Sequence, residues 1–229
     1  MANRKKKKLP VRRRPQRFPP YAQHPAVLAR TKYPHETKYP WLSLVLDADA
    51  IFDYETQLAI TEQIQARGQN IACHEGCSDC CVHQEVRVTL LEFMAISWFY
   101  CEICSADLRG RIRSQLISYN ERTACPFLIE NACSIRPVRP LVCRGFFVYG
   151  QPCAPNEDVS KTRPHDIHPP DIVLGQYIAF RLLDYPDFGC PTVAAKEKAL
   201  RNGIMAAISK PMHMWDWADY VKLSDERCG

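Results

Sequence analysis

The chain has 229 residues, room for one sizeable domain or one domain with a small appendage, and 46 % apolar residues provide for a core. Net charge is +5, but residues 1–35 hold 11 Lys+Arg and no acid, which leaves 19 basic against 25 acidic residues, or −6, on the remainder. No apolar run reaches the roughly 18–20 residues needed to span a bilayer, and no apolar stretch follows the basic start as a secretory signal requires. The expectation is a cytoplasmic protein without a transmembrane segment, in a reducing setting where clustered cysteines more often bind metal or catalyse than form disulfides.

Residues 1–40 read as a basic, Pro-rich disordered arm. Such an arm is either a solvated extension or a contact for nucleic acid, here through residues 1–20; no aromatic interleaving or nucleic-acid motif accompanies it. Residues 41–155 read as a cysteine-cluster domain with a preceding helix, and 156–229 as a C-terminal helical extension packed on it. The fold class is mainly α: a small helical domain with an irregular cysteine-rich, metal-binding centre.

In chain order, a helix is expected from about Asp47 to Arg67, with Gly68 as its stop. A loop with four cysteines in nine residues follows: Cys73, Cys77, Cys80 and Cys81. Thr89 and Glu92 have capping-box spacing, so a helix should run from Leu90 to about Ile103. Ser105 can cap a second one over Ala106–Tyr119. Pro126, Pro137 and Pro140 then forbid helix, and a short hairpin fits "FLIENACSI". Helices are expected again at Ile172–Asp184 and Thr192–Ser209. "MHMWDWADYVKL" carries Trp215, Trp217 and Tyr220 as a core or docking stripe.

Seven cysteines share a setting: Cys73, Cys77, Cys80, Cys81, Cys125, Cys133 and Cys143. All lie in expected loops, on either side of a helical pair that would act as a spacer and let the two loops close over one site. Thiolates are soft, charged ligands suited to zinc or to the iron of an iron–sulfur cluster, and spacings such as Cys77-x₂-Cys80 let one turn present two sulfurs. Four thiolates on a divalent ion leave a net negative charge, which Arg139 and Arg144 beside Cys143 are placed to offset. Disulfides and a lone reactive thiol are the competing readings. His74 and His83 flank the loop as possible substitutes for a sulfur or as solvated residues. Cys101 and Cys104 read as buried core thiols, Cys153 as a weak eighth ligand, and Cys190 and Cys228 are unassigned.

"CHEGCSDCC" followed by "CPFLIENACSIRPVRPLVCRGF" resembles the CxxCxxCC, or YkgJ-type, cysteine-cluster family of zinc- or iron-chelating domains. The matching positions are Cys73, Cys77, Cys80 and Cys81; Cys125-Pro126-Phe127-Leu128; Cys133; Arg139-Pro140; and Cys143-Arg144. Thr89 and Glu92 match the family's helix start. The match spans about residues 71–148. It departs in an x₃ first spacing, in Ser78 where glycine is common, and in Arg136 where tyrosine is usual. The resemblance implies a bacterial metal binder holding zinc or iron. A related cysteine pattern in a flagellin lysine N-methylase implies an iron–sulfur, protein-modifying alternative. No Ser/His/Asp arrangement or helical His-x₃-His pair is present, and no catalytic residue is assigned.

Overall fold

The computed structural model describes residues 18–83, 85–120, 123–155 and 157–227. Most of the basic arm, and with it the expectation for residues 1–20, lies outside the described residues.

Residues 18–38 are folded, which corrects the arm expected over residues 1–40. After a 3-10 turn at Tyr21–Gln23 come α1 (Pro25–Ala29) and α2 (His35–Lys38). Phe18 and Tyr21 stack on Tyr177 with centroids 4.7 and 4.2 Å away. The buried His24 caps α1, its Nδ1 accepting from the Ala26 N–H at 3.2 Å while Nε2 donates to Glu55 at 3.1 Å. Arg30 joins Glu36 to Asp47, each at 2.6 Å. A few aromatic anchors and one well-partnered arginine outweigh the basic, Pro-rich composition that dominates the residues before them.

α3 (Pro40–Arg67) begins seven residues earlier than expected, because Pro40 at its first position needs no hydrogen bond there and presets the backbone angle. Gly68 ends it in the left-handed conformation at φ 65°, its N–H bonded to the Ile64 carbonyl. A single turn, α4 (Cys80–His83), leads into β1 (Arg87–Thr89) and α5 (Leu90–Trp98). The capping box at α5 is complete: Thr89 Oγ1 accepts from Glu92 N, and Glu92 accepts from Thr89 N at 2.7 Å. Beyond Trp98 the winding loosens to a π-helical turn over Phe99–Ile103, so the expected α-helix stops five residues short. Ser105 caps α6 (Ala106–Ser118) as its spacing predicts.

The hairpin is present as β2 (Leu128–Ile129) and β3 (Ala132–Cys133), with Leu128 opposite Cys133. Glu130 and Asn131 take φ of 52° and 60°, the paired left-handed angles of a tight two-residue hairpin turn. α7 (Leu141–Arg144) and α8 (Val159–Thr162) are single turns. Asp171 caps α9 (Ile172–Leu182) by accepting from Val173 N and Leu174 N. The single helix expected over Thr192–Ser209 is instead α10 (Val193–Arg201) and α11 (Ile204–Ala207), broken at Gly203 (φ 76°). β4 (Ser209–Pro211) then pairs antiparallel with β1, Val88 opposite Lys210. α12 (Trp217–Arg227) closes the described chain.

The protein is mainly α. α3 packs on α5 and α9, and α12 packs on α6. Leu42, Ile51, Leu91, Ile96, Ile112, Leu174 and Ile178 are buried in one apolar cluster that Trp217 and Val221 also join. The C-terminal third therefore shares the core of the cysteine-bearing part. Trp215 stacks on Phe93 at 4.3 Å, and Trp217 donates its indole N–H to the Met212 carbonyl at 2.7 Å, so the aromatic stripe is a docking face as expected. Among the described residues no helix is long and apolar enough to cross a membrane.

Candidate metal centre

Two irregular segments, around residues 70–81 and 123–150, carry the sequence-predicted cysteines, and backbone hydrogen bonds join them. Ile71 bridges Tyr149, with Ala72 N bonded to Val148 O at 2.8 Å and Gly150 N to Asn70 O at 2.9 Å. Val148 in turn bridges Ile167. At the other end of the loop, Cys125 N donates to the Cys81 carbonyl at 2.8 Å. Gly76, at φ 82°, permits the reversal between Cys73 and Cys77.

The second segment is set against the helices by buried charge. Arg144 donates to Asp49 at 3.0 Å and to Asp53 at 2.5 Å, both on α3, and to the carbonyls of Pro137 and Arg139. Glu92 Oε1 accepts from Leu141 N at 2.8 Å, so the carboxylate that caps α5 also holds the start of α7, which bears Cys143. Burial pushes the Asp49 carboxyl up to about 8 despite Arg144, with Glu92 and Asp53 adding to the rise.

All seven predicted cysteines carry free thiols. The Cys81 side chain neighbours those of Cys80 and of Cys125, which belongs to the other segment. The Cys125 thiol, with burial adding and Cys80 opposing, lifts the Cys81 thiol to about 12. Cys80 is raised as well, by Cys81 and then by burial. Burial raises Cys143, and Cys133, Cys81 and Cys80 push it further. Cys133 is raised by burial against an Ile135 N–H donated to its sulfur.

Cys73 sits at the other end of this group. Burial raises its thiol, the Val148 N–H reaches its Sγ at 3.4 Å, and Cys77 and Cys80 are close enough to raise it further. Cys153 belongs with it: burial, then Cys77 and Cys73, lift it to about 11. Each of the seven cysteines thus influences, or is influenced by, at least one other, and Cys153 is influenced by Cys77 and Cys73.

The two arginines divide their work. Arg144 is committed to Asp49 and Asp53 and anchors the segment. Arg139 acts on Cys73, Cys80, Cys133 and Cys143 alike, lowering each thiol, and is the cation these sulfurs share. Thiols are the donor type a soft cation prefers, and these have one common guanidinium and a backbone N–H donor at Cys73. Among the described residues, no three His, Cys, Asp or Glu side chains stand as a ready-made coordination group.

His74 is exposed and bonds the neighbouring Glu75 carbonyl at 2.8 Å, the solvated alternative for that residue; the His83 side chain lies outside the described residues. Cys104 is a buried thiol as expected, whereas Cys101 is half-buried and disulfide-bonded, which corrects its reading as a core thiol. Cys190 is buried with its Sγ 3.3 Å from the Phe188 carbonyl. Sequence reasoning missed the Asp49–Asp53–Arg144 clamp. Its signal was an acidic i, i+4 pair on a helix face that is otherwise apolar. No family model, curated protein or solved structure matches the chain.

Proposed function

We propose that this protein chelates zinc or iron through thiolates of Cys73, Cys77, Cys80, Cys81, Cys125, Cys133 and Cys143, the role implied by its resemblance to the CxxCxxCC cysteine-cluster pattern. The observation that supports the reading is the meeting of the two separate segments at their cysteines, where the Cys125 N–H donates to the Cys81 carbonyl at 2.8 Å and the Cys81 thiol neighbours Cys80 and Cys125. A bound metal takes the place of thiol protons and ties the segments covalently. Arg139 offsets the negative charge of the thiolates, and the Val148 and Ile135 N–H groups donate to two of the sulfurs. Seven thiols exceed the four that one tetrahedral zinc takes, which favours more than one ion or an iron–sulfur cluster as the second reading.

Purification without oxygen followed by elemental and acid-labile sulfide analysis tests this. At least one zinc or iron per chain is expected, and Cys77→Ser lowers metal content and thermal stability together. Sulfide with a visible absorption band that bleaches in air selects the cluster; zinc without sulfide selects simple chelation. A folded, metal-free chain that takes up neither ion overturns both.

A further inference from the structure

A cavity of about 540 Å³ lies between the end of α2, the start of α3, α5 and α12, and takes no part in the cysteine group. Its walls are aromatic: Tyr39, Trp41, Phe93, Trp98 and Tyr220 line it, with Lys38 and Glu102 also on its lining. The Lys38 Nζ stands 4.8 Å from the Tyr39 ring centroid and 3.9 Å from Glu102 Oε1. An ammonium of the chain itself thus already stands at Glu102, whose other oxygen lies 3.5 Å from the His35 Nε2. The Lys38 side chain is 67 % exposed, so it can leave for water at small cost.

We propose that this cavity binds a small alkylated ammonium, which displaces Lys38 from Glu102. Ring faces attract cations through their quadrupole, and an ammonium whose hydrogens are replaced by methyl groups sheds water more readily than a lysine does. Such a cation gains apolar contact with the rings and keeps the Glu102 carboxylate as counter-ion. A neutral molecule of the same shape gains the contact alone. The inference is independent of the metal reading, since it uses none of its residues.

The test is calorimetric titration of the full chain, at fixed ionic strength, with choline and with 3,3-dimethyl-1-butanol, its uncharged isostere. Saturable choline binding is expected, with the alcohol at least about tenfold weaker. Glu102→Gln weakens choline binding about tenfold by removing the counter-ion, whereas Lys38→Met tightens it several-fold by removing the resident competitor. Both positions are solvent-accessible, so neither variant threatens the fold. Absence of saturable choline binding, equal binding of the alcohol, indifference to Glu102→Gln, or weaker binding in Lys38→Met overturns the proposal.

Discussion

Single residues carry much of the organisation of this protein, and Arg144 is the clearest case. Its side chain is 4 % exposed and meets Asp49, 6 % exposed, so neither charge has water as an alternative partner. Removing the guanidinium leaves the buried Asp49 carboxyl and the carbonyls of Pro137 and Arg139 without their donor. Arg144→Met should cost roughly 3–5 kcal/mol in urea unfolding. Adding Asp49→Asn should recover part of that loss by replacing the stranded acid, which burial disfavours in its ionised form, with a neutral amide. A double variant no more stable than Arg144→Met would mean that the guanidinium matters for its carbonyl contacts instead.

Glu36 gives a pH prediction at the same scale. Burial alone would raise its carboxyl, but Arg30, the Tyr33 N–H and the Ser43 hydroxyl outweigh burial and hold it at about 2 against an ordinary 4.5. A carboxyl depressed in the folded state adds stability that is fully present above its unfolded value and disappears as pH falls through the folded one. Between about pH 5 and 2, wild type should therefore lose on the order of 2 kcal/mol that Glu36→Gln does not lose. Parallel acid-unfolding curves for the two proteins would rule the linkage out.

Elements differ in how far the sequence announces them, and the difference is physical. α5 and α6 were legible because Thr89 with Glu92, and Ser105, are local devices that satisfy the first N–H groups of a helix. The β2–β3 hairpin was legible because Glu130-Asn131 sits between two short apolar runs. β1 and β4 were not. Each has three residues, and they pair across 122 positions, Val88 opposite Lys210, so nothing local specifies either. The folding of residues 18–38 was also hidden, since Phe18 and Tyr21 find their partner at Tyr177, on α9. In the site, cysteine spacing revealed the seven candidate ligands, whereas the clamp through Asp49 and the second bond of Glu92 depend on long-range packing.

That second bond makes a prediction at the scale of elements. Thr89→Ala removes half of a helix cap and should cost about 1 kcal/mol. Glu92→Ala removes the other half and also releases Leu141 N at the head of α7. It should cost about 2–4 kcal/mol and lower metal content, which Thr89→Ala leaves unchanged. Equal effects of the two substitutions on metal content would show that α7 is held by other contacts.

For the whole molecule, the proposed metal acts on a part that has little regular structure to hold it. α3, α5, α6, α9 and α12 share a core, while residues 70–81 and 123–150 are joined to each other by scattered backbone bonds, and the second is tied to α3 by the Arg144 clamp. A metal that binds the folded chain and not the unfolded one stabilises these segments by its own binding free energy.

X-ray absorption at the zinc or iron edge of protein purified without oxygen tests this account most directly. We predict a first shell dominated by sulfur, at about 2.3 Å if the metal is zinc. A shell of nitrogen and oxygen alone around the bound metal would contradict the assignment of the cysteines as its ligands.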